Sequence, residues 1–441
     1  MRGALRPRDR QAARPEAPFT IHRPDPPIRP VPLDPGGAMR DSEVSPFSMY
    51  QLMEPAQRAD PYPWYRRLRD ARPICRDPHV GSLLVARHAE VAAVLENPAF
   101  SAARLGMSES DDPVEREIGR TLGEQMLFLD PPDHTRLRKL FAKAFTPRRL
   151  DAFRPRIEAL THQLLDACAG RRADFIGEFA VPLPVMAIAL VLGVPTGERE
   201  RLHAWSLAFG SIISGRPLTV EEVGQAQRGI AEFRQYFAEL ISARRAVPED
   251  DMLSDLVAAE EAGDRLDEGE LISNLILLLA AGHATTTHLL GNGLLALAGE
   301  REQWRRFVAE ISLAPTLVSE LLRFDAPVQV TGREAREDVE LDGMTIPKGQ
   351  YVHLLLGAAN RDERQYAEPD RLDIGRTGTR MMSFGHGIHT CLGAVLARIE
   401  AQIVFGALAE RFPDFEAHEQ DAERTATISF RGLRSLPVTL R

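Results

Sequence analysis

The sequence predicts a mainly α-helical fold with small β-sheets, an α+β class. Apolar residues recur at three- and four-residue spacing over most of the chain, which is typical of helices with one buried face. The composition agrees, because 441 residues with 44% hydrophobic and 27% charged side chains can build a sizeable core. The segments with helical spacing are 63–70, 89–95, 132–145, 155–168, 221–244, 268–298 and 302–324.

Strand signals are short and local. Residues 339–341 and 344–346 flank an Asp342-Gly343 pair, the typical turn of a two-residue hairpin. Residues 82–85 and 351–355 give two further strands. We therefore expect the sheets to be small additions to a helical body.

The chain divides into two parts by composition. Residues 1–46 contain ten prolines and few large apolar side chains, so they cannot bury enough surface to offset the entropy of ordering. They are predicted to form a disordered Pro/Arg-rich extension. Residues 47–441 hold no Gly/Ser linker, charge run or internal repeat, and are predicted to form a single domain.

Charge and apolar runs exclude several classes of protein. The net charge of −9 removes the broad basic footprint on which nucleic-acid binding depends. The apolar stretches 181–195 and 271–282 are shorter than the ~20 residues that span a bilayer, so no membrane anchor is predicted. With no secretory signal and only three scattered cysteines, a cytoplasmic protein is expected.

The most informative segment is the glycine-rich run 383–394, which precedes an apolar helix. Its Cys391 lies where unpaired N–H groups and the helix dipole favour a thiolate, so it is a candidate axial metal ligand. His386, His389 and Cys391 could instead be three zinc ligands, or the loop could hold a phosphate. A fourth zinc ligand and the Lys-Ser/Thr of a phosphate loop are both missing. No Cys-x-x-Cys-His occurs, which excludes a c-type haem.

Residues 384–393 read Phe-Gly-His-Gly-Ile-His-Thr-Cys-Leu-Gly, which resembles the haem-binding signature of soluble bacterial cytochromes P450. The resemblance implies the cytochrome P450 fold, a triangular helical prism around a buried haem. It also implies non-covalent haem b with Cys391 as the thiolate ligand of the iron. The cofactor-binding residues that it implies in this run are Phe384, Gly385, Gly387, His389, Cys391 and Gly393.

Three further residues resemble the family's haem-propionate ligands. His134 and Arg138 share one face of the predicted helix 132–145, and both residue types suit charge-assisted bonds to carboxylates. Arg333, in a Thr-Gly-Arg segment, resembles the strand arginine that reaches a propionate.

The opposite face of the same helix is basic. It carries Arg136, Lys139 and Lys143, with Arg148 and Arg149 beyond it, on a chain that is acidic overall. A solvated helix face and a patch that steers an acidic electron-transfer partner are both compatible with this pattern.

Glu320 and Arg323 lie three residues apart on one helical face and resemble the family's Glu-x-x-Arg motif. The segment 368–372 supplies Arg371, which resembles the arginine that family members join to this pair. The resemblance implies a structural network that holds the haem loop.

The long helix 268–298 contains Gly282-His283-Ala284-Thr285, which resembles the family's oxygen-binding kink. In the family, the glycine opens space above the iron and the threonine holds water or the bound oxygen for protonation. Ala284 stands where the family usually has Asp or Glu, and an alanine cannot relay a proton. The usual proton route is therefore in doubt in this chain.

The resemblance implies an oxidoreductase, a haem-thiolate monooxygenase that uses O2 to hydroxylate or epoxidise a hydrophobic small molecule. Ferredoxin and ferredoxin reductase are the implied electron donors, and a cytoplasmic monomer is expected. A peroxide-using or oxidative-coupling haem enzyme is one alternative. A non-catalytic haem-binding sensor or scaffold is an alternative of another class, suggested only by Ala284.

Overall fold

A computed structural model describes residues 46–103, 113–213, 218–261, 266–378 and 380–441. The predicted N-terminal extension, except for residue 46, lies outside these residues. The described part of the chain contains sixteen α-helices: α1 (Pro55–Ala59), α2 (Tyr62–Ala71), α3 (His88–Glu96), α4 (Pro113–Gly123), α5 (Asp133–Ala144), α6 (Pro147–Asp151), α7 (Arg154–Cys168), α8 (Pro182–Leu192), α9 (Arg199–Ile212), α10 (Val220–Ala246), α11 (Met252–Glu261), α12 (Glu268–Gly299), α13 (Arg301–Ala309), α14 (Ala314–Phe324), α15 (Leu356–Ala359) and α16 (Ala394–Arg411).

The strands are short. They are β1 (Ile74–Arg76), β2 (Leu83–Val85), β3 (Phe100–Ser101), β4 (Arg172–Asp174), β5 (Val330–Ala335), β6 (Val339–Leu341), β7 (Met344–Ile346), β8 (Tyr351–Leu355), β9 (Glu416–Ala417), β10 (Glu423–Arg424), β11 (Leu433–Ser435) and β12 (Pro437–Thr439). A five-stranded sheet has the order β1-β2-β8-β5-β3, with β2 and β8 parallel and its other pairs antiparallel. A three-stranded sheet, β4-β12-β9, and the ribbons β6-β7 and β10-β11 complete the set.

The mainly α prediction with small sheets is confirmed. Asp342 and Gly343 both have positive φ, at 48° and 73°, as the predicted hairpin turn between β6 and β7 requires. The single helix expected over 302–324 is wrong, because the chain there forms α13 and α14 with a short turn between them. Pro315 lies in the first turn of α14, where its missing N–H costs nothing, whereas inside a continuous helix it would break the backbone ladder.

The principal core surrounds α12, which packs against α8, α9, α10, α14 and α16. The window Phe175–Leu192, which includes α8, is long and apolar enough to cross a membrane by composition, but 67% of it is buried inside the protein. Burial on this scale is typical of a core helix. The prediction of a buried element at this position therefore agrees with its packing.

Helix α12 begins with a capping box, in which the Asp267 carboxylate accepts from Glu270 N at 2.8 Å and Glu270 accepts from Asp267 N at 3.3 Å. Most of its first six turns are buried on all sides. Residues Ala281, Ala284, Thr285 and His288 retain exposed surface in this buried stretch and share one face by their spacing. We call these four residues the site-facing stripe.

Candidate active site

The loop before α16 is shaped by its glycines and by one backbone bond. Cys391 N donates to Phe384 O at 2.8 Å, which closes the loop. Gly387 has φ of +70°, and a Cβ there would lie 2.6 Å from the carbonyl oxygen of Leu95 in α3. Only glycine fits this position, because both the backbone conformation and the approach to α3 exclude a side chain. The loop therefore holds the thiol in a fixed place.

Cys391 has accessible surface although it lies deep in the fold, because that surface faces an enclosed site and not the bulk solvent. Burial raises the pKa of the Cys391 thiol, while N–H groups of Gly393 and Ala394 and the nearby Arg138 and Arg398 act to lower it. Burial outweighs these effects in the protein alone, while the N–H groups at the helix start act in the direction that the sequence predicts. A bound metal cation would supply the missing stabilisation, since a metal deprotonates a coordinating thiol.

Arg398 was missed in the sequence analysis. Its guanidinium lies 4.5 Å from the ring centroid of Phe384, and the charge of Cys391 raises its pKa against the lowering effect of burial. The sequence carries a signal for this residue, because Arg398 follows Cys391 by seven residues, which is about two helical turns.

The zinc alternative does not fit the loop. His386 Nε2 lies 2.6 Å from Glu96 Oε1, which ties this imidazole to α3. Among the residues that the structure describes, no group of three His, Cys, Asp or Glu side chains is close enough to hold a metal ion. The described residues therefore give Cys391 no set of partner side chains for zinc.

The predicted propionate ligands His134, His389, Arg138 and Arg333 lie together. The rings of His134 and His389 have centroids 4.2 Å apart. Both ring nitrogens of His134 and Nε2 of His389 are buried, and none has a hydrogen-bond partner within the part of the chain that the structure describes. Arg138 Nη2 donates to Thr390 O at 2.5 Å, beside the thiol. Burial, and next the positive charge of Arg333, lowers the pKa of His389 to about 3.

This cluster fits haem b. Buried polar atoms without partners are rare and need a group to satisfy them, and two imidazoles with two guanidinium groups match two propionate carboxylates. Gly393 adds a second observation, since a Cβ there would meet nothing closer than Cys391 Sγ at 4.0 Å. Contacts within the protein therefore do not require glycine at position 393. A flat group bound beside the sulfur would require it, because a side chain there would occupy the same space.

The predicted network around Glu320 is present with one different member. The fully buried Glu320 and Arg323 form two bonds of 2.8 Å. Their third partner is Arg376, whose Nε lies 3.2 Å from Glu320 Oε1. The prediction for Arg371 is wrong, because its exposed guanidinium binds Glu368 at 3.2 Å and only its backbone carbonyl accepts from Arg323.

The network continues to the thiol loop through two residues that sequence reasoning missed. Arg323 Nη1 donates to Asn360 O at 3.0 Å, and the Asn360 amide donates to Ser383 Oγ at 2.8 Å and accepts from Met382 N at 2.6 Å. Ser383 Oγ in turn donates to Leu322 O of α14 at 2.6 Å. Buried bonds therefore connect α14 to the first residues of the loop that carries Cys391.

Across the site, α12 runs without interruption through the predicted kink. Thr285 Oγ1 donates to Ala281 O at 2.7 Å, one turn back, and so leaves its lone pairs free to accept a bond. A Cβ on Gly282 would meet Ile188 of α8 at 3.4 Å, so this glycine faces the packing between α12 and α8. The expectation that Gly282 opens space above the iron stays a prediction. Ala284 lies beside Thr285 on the site-facing stripe.

A histidine pair lies on another face of α12. His283 Nε2 is 3.3 Å from His203 Nδ1 of α9, and burial lowers the pKa of His283 to about 3. The ring is neutral at neutral pH.

Acidification should therefore destabilise the protein through His283. Its folded pKa of about 3 lies below the value near 6.5 in an unfolded chain. The unfolded state binds more protons between these values, so stability is lost as the pH falls from 6.5 towards 3, by about 2 kcal/mol at pH 5 for this residue. Urea unfolding of the wild type and His283→Gln at two pH values measures the difference. His79→Gln, at an exposed histidine, is the control and should keep the wild-type pH dependence.

The basic face of α5 is smaller than predicted. Arg136 is half-buried and binds Glu270 of α12 at 2.5 Å and Asp133 at 3.0 Å, so the prediction that it belongs to an open patch is wrong. Glu270 lies 134 residues away from Arg136 in the sequence, so a local charge pattern could not predict this pair. Lys139, Lys143 and Arg148 are exposed on this side.

Known proteins were compared with the chain. A sequence model of the family "Cytochrome P450" matches residues 219–437. "Cytochrome P450 107B1" of Saccharopolyspora erythraea is 42% identical over 85% of this chain and 93% of its own. The crystal structure of P450BioI with an acyl carrier protein carrying hexadec-9Z-enoic acid has a TM-score of 0.83 and 36% identity, covering 88% of this chain and 99% of that one. The myxobacterial CYP267B1 with myristic acid has a TM-score of 0.81 and 37% identity, over 89% and 99%.

A helical fold with a single cysteine loop facing an enclosed site is the architecture of a haem-thiolate oxidoreductase. The chain belongs to the cytochrome P450 family, as its 42% identity to a relative over most of both sequences shows. The predicted cytochrome P450 fold is confirmed by the structural likeness. Members of the family bind haem b through a cysteine thiolate, and the chain is an enzyme of the monooxygenase class.

Proposed function

We propose that the chain uses O2 and two electrons from ferredoxin and ferredoxin reductase to hydroxylate or epoxidise a hydrophobic small molecule of secondary metabolism or catabolism. The proposal rests on Cys391, whose thiol is held by a closed loop facing the enclosed site. A cytoplasmic location agrees with the burial of the most apolar helical window inside the protein.

Each residue has a defined part. When bound, haem b supplies an iron that activates O2, and a thiolate ligand favours cleavage of the O–O bond. Cys391 is the ligand, while His134, His389, Arg138 and Arg333 bind the carboxylates and orient the group. The remaining loop positions, Phe384, Gly385 and Gly393, contact its face.

Two features of the chain control water and protons at the site. The apolar residues of α12 before Ala281 are buried and exclude bulk water from the substrate side. Thr285 Oγ1 donates to Ala281 O and would be able to accept a bond from a water or an oxygen bound at the site. A hydrophobic substrate agrees with the fatty-acid ligands named for the two similar structures.

Two measurements test this function. The reduced protein should bind carbon monoxide and show the red-shifted Soret band of thiolate ligation. A ferredoxin system with NADPH should then yield an oxygenated product from a panel of hydrophobic compounds that includes myristic acid. A protein with the expected Soret band that makes no product from any compound that shifts its spin state supports the scaffold alternative instead.

Charge reversal on the remaining basic face should slow electron delivery. Lys139, Lys143 and Arg148 are exposed on α5 and α6, and α5 is the helix whose opposite face carries Arg138 to Thr390 of the thiol loop. We expect Lys143→Glu to slow ferredoxin-dependent reduction by roughly tenfold at low salt and less at high salt, since exposed charges are screened. Stopped-flow reduction over a range of ionic strength measures this effect.

The control for that experiment is Lys348→Glu, an exposed lysine beyond the β6-β7 ribbon. It changes the net charge by the same amount on another surface. Equal slowing in both variants, or slowing that does not depend on ionic strength, would contradict the proposed steering of the electron donor.

A further inference from the structure

His288 lies three residues after Thr285, at the end of the site-facing stripe. Side chains at this spacing are neighbours on a helix, with Cβ atoms about 5–6 Å apart. The imidazole of His288 is therefore the titratable group of the stripe that stands nearest to the Thr285 hydroxyl.

The ring has an unsatisfied nitrogen. His288 Nδ1 is buried and has no hydrogen-bond partner in the described residues. Burial lowers the pKa of His288 to about 4, so the imidazole is neutral at neutral pH. A neutral imidazole has one donor and one acceptor nitrogen, which lets it take a proton on one side and release another from the opposite side.

Behind the ring lies Gly432. A Cβ at Gly432 would overlap His288 Nδ1 and the adjoining ring carbons, so only glycine lets the imidazole occupy this position. The contact places His288 directly against the segment between β10 and β11. Gly432 also has a second neighbour.

That neighbour is a small polar cavity, which we call the Gly432 cavity. It has a volume of about 30 Å³ and is lined by Gln57, Arg58, Arg424 and Thr425, among others, together with Gly432. Gln57 Oε1, Arg58 Nε and Arg424 Nη1 are buried there without partners. A polar space of this size with unsatisfied donors and acceptors is what one ordered water needs.

The geometry points to a proton route that replaces the acid missing at Ala284, leading from water in the Gly432 cavity through His288 to the Thr285 hydroxyl. The route rests on the proposed O2-dependent function. Water gives a proton to one ring nitrogen and the other nitrogen releases one, so the ring ends neutral with its tautomer exchanged. Thr285 Oγ1 takes the proton that the ring releases and passes its own hydrogen, freed from Ala281 O, into the site, so the hydroxyl also ends neutral. The hydroxide left in the cavity is reprotonated by bulk water.

The first test asks whether water reaches the ring through the cavity. Deuterium exchange at the imidazole C2–H, read by mass spectrometry on the holoprotein, needs no substrate. Gln57→Leu removes a polar wall of the cavity and should slow exchange at His288 by about tenfold. His283, which faces α9, is the internal control and should not change. Unaltered exchange at His288 would overturn the route.

The second test uses rescue at another residue. With myristic acid and a ferredoxin system, His288→Ala should raise the peroxide released per NADPH consumed several-fold, because loss of a proton-transfer group slows the productive step. Ala284→Glu should restore low peroxide release in the His288→Ala background and change the wild type little. A purely structural defect at His288 would not be repaired by a carboxylate at 284.

The outcomes separate the two proposals. If the wild type shows the thiolate Soret band and oxygenates substrate, but His288→Ala leaves peroxide release unchanged, the route is wrong and the proposed function stands. If Ala284→Glu lowers peroxide release as much in the wild type as in His288→Ala, the wild type has no working relay and the route is again wrong. Failure of the carbon monoxide test refutes the function itself.

Discussion

Replacing Cys391 by serine should abolish the thiolate Soret band and all oxygenation while leaving the fold intact. The side chain is small, it sits at the end of a loop closed by the backbone bond from Cys391 N to Phe384 O, and serine keeps that bond. The sulfur is the only group that the loop offers to the iron, since His386 is tied to Glu96. The expected loss of turnover is complete within detection.

The experiment compares three variants by carbon monoxide spectroscopy, bound iron and far-ultraviolet circular dichroism. Cys168→Ser is the matched control, because Cys168 is buried in the core at the end of α7 and faces no enclosed site. We expect it to keep the Soret band of the wild type. Cys75→Ser extends the control to the five-stranded sheet. A Cys391→Ser protein with an unaltered spectrum would refute the ligand assignment.

Loss of Arg376 should destabilise the protein far more than loss of Arg371. Arg376 binds the fully buried Glu320 and also donates to the carbonyls of Ala367 and Glu368. Removing it takes one charged donor from a buried carboxylate that keeps its bonds from Arg323 and from Asp373 N, which should cost about 2–3 kcal/mol. Arg371→Gln removes an exposed pair and should cost about 0.5 kcal/mol or less.

Chemical denaturation of the two glutamine variants measures the difference, and Glu320→Gln sets the upper end with an expected cost of about 3–5 kcal/mol. Haem retention after mild heating gives a second reading, because the network reaches Ser383 through Asn360. We expect Arg376→Gln to lose haem faster than Arg371→Gln. Equal effects at positions 371 and 376 would restore the role that the sequence suggested for Arg371.

Local periodicity explains what could be predicted. His134 and Arg138 share a face of α5 because a helix repeats every 3.6 residues, and the structure brings both to the thiol loop with His389. The Glu320 and Arg323 pair follows from the same rule. The relative positions of such residues can be predicted from the sequence, because they depend only on the helix that contains them.

The remaining parts of the site depend on contacts that no local pattern records. Arg376 and Arg371 lie in a segment without regular structure, where Glu368 has a φ of +46°, so the backbone turn decides which guanidinium points inward. Arg136 pairs with a residue of another helix. The side-chain amide of Asn360 bonds to residues far away in the sequence, so no periodic pattern predicts its partners. Tertiary packing alone selects these partners.

The exposed lysines of α5 have a practical consequence. The chain contains 54 basic residues but only three lysines, Lys139, Lys143 and Lys348. Amine-reactive cross-linkers therefore have few side-chain targets, two on α5 and one on another surface, so cross-links of an electron donor to Lys139 and Lys143 but not to Lys348 would locate its docking footprint from very few peptides.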